Sequence, residues 1–134
     1  MPITKIHHIN FLVKDLEKGM ECYSALLGLK DFILDELPGR GVRTARVAVG
    51  EQWIVLVEPI DPEGIPGKHL AQHGEGFFLI SYAVDDINDA ARRVSSHGSS
   101  MTSPQPRQGL DNWRVWDVES KDTLGIQLQF CQET

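Results

Sequence analysis

The stretches HINFLVKDLEKGMECYSALLGL and LISYAVDDINDAARRVSSHG are weak copies of one another at a constant offset of 71 residues, with His8 aligned to Leu79, Val13 to Val84 and Asp15 to Asp86. A repeat of this kind restricts the chain to folds built from two similar units. Each copy begins with a period-2 strand pattern, reaches an Asp suited to cap a helix, continues with apolar residues at helical spacing, and closes at Gly. The first helix face is Leu16, Met20, Tyr23 and Leu27, ending at Gly28. The second is Ile87, Ala91 and Val94, ending at Gly98. Strand patterns follow each helix, VRTARVAV and QWIVLVEP in the first half, NWRVWDV and GIQLQFC in the second. The pattern predicts an α+β fold of paired βαβββ modules within one domain spanning 1–134, with module 1 over about 1–60 and module 2 over about 76–134. The link IDPEGIPGKHLAQHGEG, rich in Pro and Gly at its start, is the natural module boundary. Modules of roughly sixty residues are too small to be stable alone, so the two sheets are expected to join into one curved structure with a cleft between them.

The apolar fraction of 41% in 134 residues is enough for a core. Thirteen basic residues against nineteen acidic ones give a formal charge of -6, and the basic residues are scattered, which argues against a nucleic-acid partner. No secretory signal pattern and no apolar run of membrane-spanning length is present, so no membrane partner is expected. Cys22 and Cys131 lack framework spacing and read as reduced thiols, which fits a cytoplasmic location.

The opening repeat, the VEPIDPEGIPGKHLAQHGEGFFLISYAVDDI connection and the closing LGIQLQF together resemble the vicinal-oxygen-chelate superfamily, which includes glyoxalase I, bleomycin-resistance proteins and extradiol dioxygenases. The resemblance covers essentially the whole chain, and within the superfamily the layout is most like that of methylmalonyl-CoA epimerases. It implies a U-shaped open barrel, commonly homodimeric, with one divalent metal held by a ligand from the first and last strands of each module.

Carried over residue by residue, the first ligand position is His8; His7, of opposite parity, is expected at a strand edge on the surface. The second position is Val55, four residues before the Pro of WIVLVEP, and the third is Leu79 in GEGFFLIS. The fourth is Gln127 in IQL. Glu58 lies near Val55 but has opposite parity, on the face of Ile54 and Leu56. One imidazole and one neutral amide in apolar surroundings hold a hard cation poorly, because no charge compensates its desolvation. The expectation is therefore no metal cofactor, with His8 and Gln127 as the only ligands if one binds. The carboxylate resembling the epimerase base falls at or about Thr44, and Thr is no general base at neutral pH. No catalytic residue is assigned.

What remains is a cleft apolar at Val55 and Leu79 and polar at His8, Asn10, Ser81, Gln127 and Gln129, with Trp53 sharing the parity of Val55, and Arg46 sharing that of Thr44. That composition suits a small organic ligand oriented by hydrogen bonds, in the manner of the bleomycin-resistance branch. Arg46 is open to two roles, pairing with an anionic ligand group or with an acidic side chain. The alternatives are a lyase or isomerase of the glyoxalase or epimerase type, and an accessory subunit acting through association. Trp113 and Trp116 lie on sheet-forming strands; His69 and His73, four apart, read as a solvated helix face. His97 suits a helix C-terminus, and SSHGSSMTSPQPRQG is expected to be a mobile loop.

Overall fold

The computed structural model describes residues 2–134. Its elements run β1 (Lys5–Leu12), α1 (Leu16–Leu27), β2 (Ile33–Leu37), β3 (Val42–Val49), β4 (Gln52–Pro59), α2 (Ile65–His73), β5 (Gly76–Ala83), α3 (Ile87–Ser96), β6 (Arg107–Gln108), β7 (Trp113–Asp117) and β8 (Leu128–Glu133). Read without α2, the order is βαβββ twice. The 71-residue offset holds to the residue: β1 and β5 have corresponding bounds, and the two helices that follow start at Leu16 and Ile87. Asp15 caps α1 by accepting from the Lys18 amide, and Asp86 caps α3 by accepting from the Asn88 and Asp89 amides. Gly28 closes α1 in the left-handed region, at φ 68°.

The chain divides into two compact units, one made of the segment up to His8 together with Leu79–Thr134, the other of Ile9–Phe78. In the continuous unit, β3 forms a hairpin with β4 and pairs on its other side with β2, all antiparallel. Strand alternation sends Ala45, Ile54 and Leu56 toward α1, where Val13 and Leu16 meet them and Phe11, Met20 and Tyr23 flank the cluster. Leu16 and Leu56 are almost fully buried, and each such side chain contributes about 1.5–3 kcal/mol. Glu58 serves this face: one carboxylate oxygen accepts from the Leu16 amide at the start of α1, the other from Arg43 Nε at 2.7 Å. The sequence placed Leu27 on the buried face of α1, but it lies in the last turn and is exposed, as is Leu26.

In the discontinuous unit, β5 pairs in parallel with β8, which pairs antiparallel with β7, and β6 closes the edge. Ile87 and Ala90 of α3 pack with Val84, Trp116, Val118 and Phe130. The opposite strand face carries Leu79, Ser81, Trp113, Val115, Asp117, Gln129 and Cys131 by alternation.

Two expectations change here. The segment around Ser100 is not a free loop: Met101 bridges Val118, the Thr102 amide donates to the Asp117 carbonyl, the Glu119 amide to the Ser100 carbonyl, and Trp116 Nε1 to the Ser103 carbonyl. Polar side chains hid backbone pairing that depends only on where the chain runs. Gln127 does not lie in the last strand; positive φ at Leu124 and Gly125 turns the chain, and β8 begins at Leu128. No helix among the described residues is long and apolar enough to cross a membrane.

Candidate functional site

In the continuous unit the strand parity predicted for β3 and β4 is realised. Arg46 stands opposite Val55 and Thr44 opposite Val57, on the face turned away from α1. Thr44, Arg46 and Val55 are buried, while Trp53 and Asn10 are half-buried. A guanidinium in an apolar alternation requires partners, and those of Arg46 include Asp35, to which Nη1 donates at 2.5 Å, and the Trp53 ring, whose centroid lies 5.3 Å from Cζ. The side-chain ion pair, one of the two roles left open by the sequence, is formed with Asp35. The hydroxyl of Thr44 and Oδ1 of Asn10 are buried with no hydrogen-bond partner among the described residues.

In the discontinuous unit Leu79, Ser81 and Gln129 are buried and Gln127 is half-buried. Ser81 stands opposite Gln129, and Gln129 opposite Asp117. Gln129 Nε2 donates to Asp117 Oδ1 at 3.0 Å, and Asp117 also accepts from Arg107. Ser81 Oγ is buried without a hydrogen-bond partner among the described residues. Asp117 and Arg107 were missed by the sequence reading, although the signal that exposed Arg46 was there for Asp117 also: a charge inside the otherwise apolar WRVWDV.

His8 is buried and stacks on Trp113 with ring centroids 4.6 Å apart and planes 18° apart. His7 is not a surface residue; it is 1% exposed and meets the same Trp113 edge-on at 4.6 Å. Alternation sets the backbone directions of the two residues apart, but both rings turn toward one tryptophan, leaving Nδ1 of His7 2.8 Å from Nδ1 of His8. His7 Nε2 donates to Glu133 Oε1 at 2.7 Å. The carboxylate only accepts, so a neutral His7 carries its proton on Nε2 and its Nδ1 accepts from Nδ1–H of His8. Burial, then the neighbouring His7, push the His8 imidazole down from 6.5 to about 3, with the Gln129 side chain opposing. His8 is thus neutral at physiological pH. Cys131 is buried as well, and burial followed by the Glu133 charge pushes its thiol up to about 12.

These positions do not fit the ion that the family resemblance implies. Of the four ligand places, Val55 and Leu79 are buried hydrocarbon and Gln127 is neutral, so His8 alone is a strong donor and none of the four supplies an anion to offset the desolvation of a divalent cation. Thr44, at the place resembling the epimerase base, carries no group that accepts a proton at neutral pH.

Among solved structures, methylmalonyl-CoA epimerase from Mycobacterium tuberculosis superposes with a TM-score of 0.94 at 26% identity, covering 99% of this chain and 90% of that one. A variant of the Streptomyces coelicolor methylmalonyl-CoA epimerase, in complex with 2-nitronate-propionyl-CoA, gives 0.94 at 27% identity, covering 98% and 99%. These matches establish a glyoxalase-like fold. Among curated proteins, human mitochondrial methylmalonyl-CoA epimerase is 26% identical over 129 residues, 96% of this chain and 73% of that protein. The family model of the glyoxalase/bleomycin resistance protein/dioxygenase superfamily matches residues 7–116. The chain belongs to the glyoxalase/bleomycin resistance protein/dioxygenase superfamily.

Proposed function

We propose that this chain binds a small organic molecule without the aid of a chelated metal at the superfamily's ligand positions. The observation that carries the reading is the coincidence of predicted binding positions with orphaned polarity: Asn10 and Thr44 in the continuous unit, and Ser81 in the discontinuous one, each hold a buried oxygen with no hydrogen-bond partner among the described residues. Buried polar atoms are nearly always paired, and a ligand bearing donors satisfies such oxygens. In the continuous unit Val55 and Trp53 supply apolar contact beside Arg46; in the discontinuous unit Leu79 does so, with His8 and the half-buried amide of Gln127 as polar groups. A cytoplasmic homodimer completes the proposal. Two reduced cysteines fit the first part; exposed Leu26, Leu27, Ile33 and Leu34 at the end of α1 and the start of β2 fit the second.

A second reading, an isomerase acting on an acyl-CoA thioester, is favoured by the likeness to methylmalonyl-CoA epimerases in sequence and structure. The two are separated with methylmalonyl-CoA as probe, in the presence of chelator. Calorimetry is expected to show saturable binding that Leu79→Asp weakens strongly, because it sets an uncompensated carboxylate among apolar groups. Proton NMR in deuterium oxide is expected to show no catalysed exchange at C2. Catalysed exchange by the parent protein refutes the first reading in favour of the second. Binding of this probe that appears only with added divalent metal refutes metal independence.

A further inference from the structure

The sequence singled out two adjacent histidines and a cysteine near the end, and nothing in the function proposed above uses His7 or Cys131. The fold of the discontinuous unit gathers them: one donor atom from each of His7, His8 and Cys131 lies within 4.8 Å of the others, all three side chains being buried. We propose that His7, His8 and Cys131 form a binding site for a divalent d-block cation of borderline softness, Zn2+ above all, sharing His8 but no other residue with the His8, Val55, Leu79 and Gln127 set of the family resemblance.

Two imidazoles and a thiolate are the donor types that select such ions over Mg2+ or Ca2+. The surroundings supply what a ligand set needs beyond its donors. His7 Nε2 donates to Glu133 at 2.7 Å, the carboxylate partner that orients a ligating imidazole and leaves Nδ1 for the ion. When His8 ligates through Nδ1, its proton moves to Nε2, and the Gln129 side chain stands beside this ring to accept its hydrogen bond. The charges close: a Cys131 thiolate and the Glu133 carboxylate together offset a dication in the low-dielectric interior. There is also a way in. A cavity of about 200 Å³, lined by Lys5, Ala83 and Gln132 among others, reaches His7, Cys131 and Glu133.

The steps balance simply. The metal-free form keeps the thiol protonated and bridges the imidazoles by a hydrogen bond, Nδ1 to Nδ1 at 2.8 Å. Entry of one M2+ forms a metal–sulfur bond and two metal–nitrogen bonds, and the Cys131 proton leaves to solvent. The imidazole nitrogens separate to about 3.3 Å, the spacing of two nitrogens about 2.05 Å from a tetrahedral ion. Water from the cavity takes the fourth position.

The test uses the full chain stripped with chelator and titrated with Co2+, followed by absorption. One equivalent is expected to give intense tetrahedral d–d bands and a thiolate-to-cobalt charge-transfer band, both displaced by one equivalent of Zn2+. Cys131→Ser is expected to remove the charge-transfer band, and Cys131→Ser and His7→Gln each to weaken affinity roughly tenfold or more; Cys22→Ser and Gln127→Ala are expected to change neither. Because a substitution in so buried a cluster can unfold the chain, a second measurement uses the parent alone. Zn2+ is expected to protect Cys131, and not Cys22, from alkylation, read peptide by peptide. Absence of the charge-transfer band in the folded parent overturns the site. So does binding that survives Cys131→Ser and is lost in Gln127→Ala.

Discussion

Acidification tests the burial of His8 directly. In the native chain its imidazole is held at about 3, against 6.5 in an unfolded chain. At pH 5 the unfolded state therefore carries a proton that the native state refuses. Where the unfolded state binds more protons, stability rises with pH, so it falls on acidification, the loss developing from about pH 6.5 down to about 3. At pH 5 the contribution is 1.36 kcal/mol per unit over the 1.5 units below 6.5, about 2 kcal/mol. The figure is insensitive to the native value, because any value well below 5 leaves His8 neutral there. The comparison is with His8→Asn, whose amide can still donate to His7 Nδ1 but does not titrate. Urea unfolding of metal-free protein at pH 7.5 and pH 5 then isolates the contribution. The parent is expected to lose about 2 kcal/mol more than the variant, roughly a 1 M difference in midpoint shift. Equal pH dependence in the two proteins refutes the buried, neutral imidazole.

Three further outcomes are expected. Asp15→Ala and Asp86→Ala each remove a helix cap and should lower stability by about 1 kcal/mol in chemical denaturation, nearly additively when combined, since they serve different helices. Gly67→Ala should be worse tolerated, by about 1–3 kcal/mol or more, because the added Cβ would stand 2.3 Å from the Asp61 carbonyl oxygen; a neutral result in thermal unfolding counts against the packing of α2. Sedimentation at micromolar concentration should show a species of twice 15.0 kDa, and a monomer alone refutes the homodimer.

Where a signal is periodic and local, the chain declares its structure. The bounds of β3 and β4 coincide with VRTARVAV and QWIVLVEP, and the two capping aspartates sit where the repeat puts them. Parity then separates Glu58, which serves α1, from Thr44, Arg46 and Val55 on the other face. β2 was harder, because ILDEL is largely exposed and shows no clean alternation. The histidine pair defeated parity altogether. Alternation gives the direction of a Cα–Cβ bond, whereas the meeting of His7 with His8 depends on side-chain rotation about a tryptophan 105 positions further along the chain. The same holds for Cys131 and Glu133, whose nearness to His7 is a matter of tertiary path.

The division of the chain at His8 also sets an order of assembly. Everything that builds the unit from Ile9 to Phe78 is contiguous, so a nascent chain that has released residue 78 holds all of its hairpin partners and its packing helix. The other unit joins the first residues to the last: the Thr4 amide donates to the Ala83 carbonyl, and His7 reaches Glu133 across 126 positions. Long closures of this kind slow folding, because chain entropy is lost before contacts reward it. Closure of this unit is therefore expected to be the slower step of refolding. It is also the step that brings His7 and His8 beside Cys131, so the cluster is complete only when segments more than a hundred positions apart have met.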